Sequence, residues 1–246
     1  RYAAAKKTTM RLKKVTEKGK TGSFYEGKNE ILTISWNDGA NPDFYAFDNS
    51  KIVRQVDKEY FAIATVGQDY KQIESQLPSS IESYQMTKDE KGNRYFCFYQ
   101  EGTVFGFDNE CRKFLEWSID DIGQGHAIYD FKYQYPDFLW LAFPTGQIVT
   151  QVSISERKEK FKIGEYTWDE KYEPLSYPES VFVKGKWVYI PNMGSNKLYR
   201  LNTENKKLEL IETFEEKLWQ YGETKIGTYI LTDTGIYEIE NKKPTA

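Results

Sequence analysis

The chain has 246 residues, enough for one large domain or two small ones with a sizeable core. Its 34 Lys and Arg against 37 Asp and Glu leave a net charge of −3, which disfavours a strongly basic nucleic-acid-binding protein. No apolar stretch approaches the roughly 18 residues of a membrane-spanning helix, and no apolar signal-peptide region follows the first basic residues. We therefore expect no nucleic-acid partner and no membrane insertion.

Aromatic residues are unusually frequent in this sequence. Its 6 Trp, 19 Tyr and 15 Phe make up 16% of the chain, although the mean hydropathy is low at −0.72. Polar and aromatic residues must therefore alternate, which is typical of strands with one buried and one solvated face. The composition predicts an all-β protein.

A pair of predicted strands recurs five times along the chain. An aromatic-rich run is followed by a turn of Asp, Asn, Gly, Pro, Ser or Thr and then by a short alternating segment, so each pair is predicted to be a β-hairpin. The alternating segments recur at a mean spacing of 46 residues. The aromatic runs are 44–47, 95–99, 138–143, 187–190 and 229–231, and the alternating segments are 52–56, 104–107, 148–152, 198–201 and 236–239.

Further strands flank most of these hairpins. Those predicted before the hairpins are 31–34, 81–84, 128–131, 181–183 and, less regularly, 219–221, and those after them are 60–64, 114–117, 161–166 and 208–211. Four strands in a unit of this length are typical of a propeller blade. Helical spacing is confined to 69–77 and 212–219.

The two ends of the chain complement each other. The last unit lacks its fourth strand, whereas the strand-like segment 10–15 has no unit of its own. We therefore predict a five-bladed β-propeller with four-stranded blades, closed by its N-terminal strand, in a single domain over 1–246 with 1–9 as a tail. The alternative is a β-sandwich, which has alternating strands but no reason to repeat a four-stranded unit five times.

One unit is more explicit than the others. The segment 187–203 contains Trp187-Val188-Tyr189-Ile190, then Gly194-Ser195-Asn196, then an alternating strand ending in Asn202-Thr203. It resembles the YVTN-type repeat of bacterial and archaeal propellers, with Ile190 replacing the usual Val and Asn202 standing where Asp is usual. The resemblance implies a propeller, often in secreted or surface-attached proteins that act as binding or scaffold modules, and it implies no catalytic residues.

Several chemistries lack the residues they need. The chain has one histidine, His126, so a site with two or three His ligands is excluded within one chain, and the Asp-Asn pairs at 48–49 and 108–109 lack the full ligand set of a calcium loop. No zinc-ribbon, α/β-hydrolase or P-loop motif is present. Cys97 and Cys111 exclude a disulfide framework, and we expect no bridge between them because their predicted strands are not neighbours. We expect no metal and no cofactor.

His126 follows Asp120-Asp121-Ile122-Gly123-Gln124-Gly125 in a predicted loop between the second and third units. Its functional interpretation is a general base held near one of the aspartates. The competing interpretation is a loop histidine that packs beside an aromatic ring or caps a turn.

Some aromatic rings lie in loops where the packing of one unit on the next does not require them. Loops between blades gather on one face, and Tyr and Trp are enriched at interfaces, so these rings could form a contact surface. The predicted ligand-binding residues are Tyr70, His126, Trp168, Tyr172, Tyr177 and Trp219. The hypothesis is a non-enzymatic propeller, outside the cell or at its surface, that binds a protein or a glycan; a monomeric ring is compatible with it.

Two other functional classes remain open. A carbohydrate-processing enzyme would need two carboxylates roughly 5 to 10 Å apart in the central funnel, and the candidates are Asp38, Asp121, Asp130, Glu179 and Glu223. A structural subunit of a larger assembly would expose an apolar patch to its neighbours.

Overall fold

The computed structural model describes residues 11–17, 21–26, 29–35, 54–56, 59–61, 84–98, 102–169, 172–223 and 227–240. The regular elements among these residues are almost all strands, as the alternating sequence predicts. The strands of the first part of the chain are β1 (Arg11–Glu17), β2 (Thr21–Glu26), β3 (Asn29–Ser35), β4 (Arg54–Val56) and β5 (Glu59–Phe61). A single helical turn, α1 (Asp120–Gly123), and a short 3₁₀ turn at Pro144–Gly146 interrupt the later strands.

The later strands follow one another in groups of four. They are β6 (Tyr84–Lys88), β7 (Arg94–Phe98), β8 (Thr103–Phe107), β9 (Lys113–Ser118), β10 (Asp130–Gln134), β11 (Phe138–Phe143), β12 (Ile148–Ser153), β13 (Lys158–Gly164), β14 (Phe182–Lys184), β15 (Trp187–Asn192), β16 (Lys197–Asn202), β17 (Leu208–Thr213), β18 (Leu218–Glu223), β19 (Thr228–Thr232) and β20 (Gly235–Glu240).

Each group of four forms one antiparallel sheet in chain order. The sheets are β6 to β9, β10 to β13 and β14 to β17, and a fourth sheet has the order β1-β20-β19-β18. Earlier in the chain, β2 pairs with β3 and β4 pairs with β5. The first strands of successive sheets lie side by side, β6 against β10 and β10 against β14. These are the four-stranded units that the 46-residue spacing predicts.

The N-terminal strand completes the last sheet. β1 runs antiparallel to β20, with Arg11 opposite Glu240 and Glu17 opposite Gly235. The predicted pairing between the two ends of the chain is therefore confirmed, and β1 covers the edge of β20 that the missing fourth strand would leave open.

The hydrophobic core lies between the sheets, and a middle sheet is buried on both faces. On β11, Leu139 and Leu141 pack against the sheet β6 to β9, whereas Trp140 and Ala142 pack against the sheet β14 to β17. All four are 0% exposed. A third cluster, which includes Leu198 and Ile230, joins the sheet β14 to β17 to the last sheet. Two sheets packed face to face could not produce this succession, so the β-sandwich alternative is wrong.

Polar contacts join the sheet β10 to β13 to the sheet β14 to β17. The Gln134 amide donates to the carbonyl of Gly185 at 2.9 Å, and its oxygen accepts the indole N–H of Trp140 at 2.7 Å. The Asp130 carboxylate accepts the backbone N–H of Val181 at 3.0 Å. Because an unpaired polar group would be costly in this interior, these contacts fix how one sheet sits on the next.

Most strand boundaries agree with the sequence prediction to within two or three residues, with three exceptions. β2 was not predicted, because its sequence contains Gly22 and Ser23 and few β-branched residues. The helical spacing over 212–219 is wrong as a helix, since β17 extends to Thr213 and β18 begins at Leu218. β6 ends at Lys88, four residues later than the predicted strand over 81–84. The predictions at 44–47 and 69–77 lie outside the described residues.

Candidate functional site

Loops from several sheets come together at one end of the strands. We call this surface the loop face and define it by residues 119–129, 144–147, 165–169, 172–181, 193–196, 214–217 and 233–234. Hydrogen bonds connect the segments in series. The backbone N–H groups of Thr167, Met193 and Phe214 donate to the carbonyls of Gly146, Tyr177 and Asn196. Side chains supply the remaining links, from the Tyr166 hydroxyl to the Ile122 carbonyl, from the Tyr177 N–H to the Gln147 side-chain oxygen and from the Thr234 hydroxyl to Glu216. The loop face is therefore continuous across the last four sheets.

An aromatic cluster occupies the loop face beside the sheet β10 to β13. The rings of His126 and Tyr166 are stacked, with 5.7 Å between centroids and 13° between planes. The indole of Trp168 also contacts the histidine, with 4.2 Å between the ring centroids and a tilt of 40°. Trp168 is 73% exposed. The cluster therefore presents a flat apolar ring to solvent.

The surrounding chain holds the histidine in place. Its Nδ1 forms a hydrogen bond of 3.1 Å with the hydroxyl of Thr145, and its backbone N–H donates to the carbonyl of Gly123. Gly146 lies under both rings: a Cβ there would stand 3.1 Å from the nearest atoms of His126 and Tyr166. The Tyr166 hydroxyl donates to the carbonyl of Ile122, which joins the two loops. A larger residue at Gly146 would separate the rings.

The histidine environment favours an uncharged ring. Burial lowers the pKa of His126 from its ordinary value, because the charged imidazolium loses hydration. It contacts the rings of Tyr166 and Trp168 and the hydroxyl of Thr145. This is the environment of a loop histidine packed beside aromatics, and no aspartate contact supports the general-base interpretation in the part of the chain that the structure describes.

The two predicted tyrosines of this region lie in the long loop after β13. Tyr177 has a positive φ of 49°, and its backbone N–H donates to the side-chain oxygen of Gln147 at 2.6 Å. Gln147 is fully buried, and its amide nitrogen has no hydrogen-bond partner among the described residues. Tyr172 is partly exposed, and burial and the charge of Glu165 raise the pKa of its phenol.

Trp219 lies at the start of β18, one sheet further on. Its indole N–H donates to the carboxylate of Asp233 at 2.7 Å, and its carbonyl accepts the Ser180 hydroxyl at 3.1 Å. The structure thus places His126, Trp168, Tyr172 and Tyr177 on the loop face and Trp219 at its border, bonded to Asp233. Direct ring contact joins only His126 and Trp168 among these five. Tyr70 lies outside the described residues.

The carboxylates proposed for a glycosidase have other contacts. Asp130 accepts hydrogen bonds from the backbone N–H groups of Phe131 and Val181 and from the Lys132 ammonium. Glu223 pairs with Lys184 and accepts the phenol of Tyr221. Both carboxylates therefore serve contacts between strands. Asp121 is exposed in α1, Glu179 is partly exposed on the loop face, and Asp38 lies outside the described residues.

Sequence reasoning missed two residues that contact His126, namely Tyr166 and Thr145. Tyr166 was assigned to a strand over 161–166, but β13 ends at Gly164, where φ is +89° and a Cβ would stand 2.0 Å from the Gln147 carbonyl oxygen. Gly164 is therefore the signal for the strand end. Thr145 belonged to a predicted turn, and nothing in the sequence pairs it with His126.

The described residues contain no group of three or more His, Cys, Asp or Glu side chains arranged to hold a metal ion. No helix among them has the length and apolar character of a membrane span. Cys97 and Cys111 are buried, and no disulfide joins them.

Comparison with known proteins identifies the fold. No protein-family model and no curated protein matches the sequence. The WD40 β-propeller domain of Doa1 is similar in structure, with a TM-score of 0.55 and 8% identity over 99% of this chain and 92% of that one. Virginiamycin B lyase from Staphylococcus aureus has a TM-score of 0.50 and 13% identity over 91% of this chain and 67% of its own.

A streptogramin B lyase is similar at a TM-score of 0.50 and 12% identity, and 65% of its own length is covered. The chain thus spans about two thirds of the length of these lyases. At such low identities the likeness shows the fold alone. The all-β chain of four-stranded antiparallel sheets therefore has a β-propeller architecture.

Proposed function

We propose that this chain is a five-bladed propeller, closed by β1, that acts as a binding module and recognises a macromolecule, protein or glycan, through its loop face. The observation that carries the proposal is Trp168, a large ring that is 73% exposed and yet packed against His126. Most Trp side chains are largely buried, and exposed Trp and Tyr held in a fixed position are frequent anchors of interfaces.

The arrangement of the cluster supports binding more than catalysis. Trp168 and His126 need little reorganisation to meet a ligand, because hydrogen bonds of the backbone and of Thr145 already hold their loops. Asp130 and Glu223, two of the proposed catalytic carboxylates, are engaged between strands. A YVTN-type repeat and a location outside the cell or at its surface remain part of the proposal.

Tryptophan fluorescence and heats of mixing of the full chain, measured against a panel of glycans and purified cell-surface proteins, test the proposal. We expect at least one ligand to bind, and Trp168→Ala or Trp219→Ala to weaken it. Tyr135→Ala is the matched control, because Tyr135 is 71% exposed but lies in the turn between β10 and β11, at the other end of the strands. Parent-like binding by both tryptophan variants would contradict a loop-face site.

A further inference from the structure

Among the described residues, charged side chains are distributed unequally between the loops at the two ends of the strands. The loop face has nine acidic side chains and one basic one, a net charge of −8. The described turns at the opposite end, which comprise 89–93, 108–112, 135–137, 154–157, 185–186 and 203–207, have seven acidic and six basic side chains, a net charge of −1. The small overall charge of −3 conceals this asymmetry.

The ion pairs between described residues offset little of this negative charge. Glu173 pairs with Lys197 at the start of β16, which removes one negative charge from the loop face. The exposed carboxylates nearest in sequence to the aromatic cluster are Asp120 and Asp121 before His126, and Glu165 and Asp169 on either side of Tyr166 and Trp168. An exposed aromatic ring is thus flanked by acidic residues in its own loops.

One ring of the aromatic cluster already contacts a cation of this chain. The ammonium of Lys162 lies 5.4 Å from the centroid of the Tyr166 ring. An ammonium or guanidinium group is attracted to an aromatic face, most strongly to that of Trp. Trp168, in the same cluster, exposes an indole ring to solvent.

We propose that the occupant of the loop face is a cationic, arginine-rich segment of a protein partner, in which one guanidinium stacks on Trp168 and others pair with Glu165, Asp121 and their acidic neighbours. The inference rests on the proposed binding function and specifies the chemistry of its ligand. Arginine combines planar stacking with bidentate pairing to carboxylates. A neutral glycan would gain nothing from the charge of this face, and a polyanion would be repelled by it.

Titration of the full chain with an octa-arginine peptide tests the inference, with octa-glutamate and the neutral sugars maltohexaose and chitohexaose for comparison. We expect only octa-arginine to bind, and its binding to weaken between 50 and 300 mM salt because exposed charges are screened. Trp168→Ala should weaken it by about 5- to 30-fold. The pair Glu165→Gln and Asp121→Asn should weaken it by about 3- to 10-fold at low salt.

The control pair Glu110→Gln and Glu204→Gln makes the same change in net charge at the opposite end of the strands. These side chains are 70% and 67% exposed, and we expect less than about a twofold change in binding. Equal weakening by both pairs, no effect of Trp168→Ala, or no binding of octa-arginine would overturn the inference. If a neutral sugar binds instead, in a manner that depends on Trp168, the inference fails but the proposed function stands. If no macromolecule responds to Trp168→Ala or Trp219→Ala, the proposed function fails as well.

Discussion

The imidazole of His126 contacts the Trp168 indole, with 4.2 Å between the two ring centroids. The contact joins the loop before β10 to the loop after β13, which are about 40 residues apart in the chain. The histidine is in turn held by the hydroxyl of Thr145. The position of the proposed binding ring thus depends on the one histidine of the sequence.

Stability should depend on pH through His126. Burial lowers its pKa in the folded chain, so the unfolded chain, with the ordinary value near 6.5, binds the proton more tightly. The contribution of the neutral ring is therefore present above pH 6.5 and is lost as the pH falls through that value towards the folded pKa. Urea unfolding at pH 7.5 and 5.5 should show a lower midpoint at pH 5.5.

The variant His126→Gln removes this group without adding a charge. Since the chain has no second histidine, we expect the difference in midpoint between the two pH values to shrink in the variant. An equal pH dependence in parent and variant would show that the carboxylates alone cause it.

Gln134 should be a strong determinant of stability. It joins β10 to the Gly185 carbonyl of the next sheet and to the buried indole of Trp140. Gln134→Leu leaves two buried donors, the Trp140 indole N–H and the Gln151 amide, without their acceptor, and the Gly185 carbonyl without its donor. We therefore expect a loss of about 1–3 kcal/mol in the free energy of unfolding, measured by urea denaturation. Glu110→Gln, at an exposed position, should change it by less than about 0.5 kcal/mol. Equal stabilities of the two variants would mean that the contacts of Gln134 are dispensable.

Asp130 separates a structural role from a catalytic one. Asp130→Ala removes the acceptor of the Val181 N–H and leaves the ammonium of Lys132, whose side chain is 14% exposed, without its carboxylate. We expect unfolding to become easier by about 2–4 kcal/mol, as measured by thermal or urea denaturation. A variant as stable as the parent would reopen the interpretation of Asp130 as a funnel carboxylate.

Deletion of residues 1–17 tests the closure of the last sheet. It removes β1 and exposes the edge of β20, and an open edge pairs readily with other chains. We expect lower stability and concentration-dependent association in sedimentation experiments, both reversed by a synthetic peptide of residues 10–18. Deletion of residues 1–9, which leaves β1 intact, is the control. A stable monomer after the longer deletion would contradict the role assigned to β1.

The sequence was sufficient for the sheets but not for the site. Strand alternation and turn residues are local signals, so β11 and β12 were predicted almost to the residue. The partner of β20 followed from a missing strand, which is also countable. The stacking of Tyr166 and Trp168 on His126 could not be predicted, because it depends on how Gly146 and Gly164 let two distant loops approach. The charge asymmetry required the topology, since acidic residues gather on one face only once the loops are placed.

Hydrogen exchange of the full chain, with and without octa-arginine, tests whether the loop face binds cations. We expect slower exchange of backbone amides in 119–129 and 165–169 on binding, and no change in the turns 154–157 and 203–207 at the opposite end of the strands. Protection confined to those turns, or no protection of either loop at saturating peptide, would contradict a cation-binding loop face centred on Trp168.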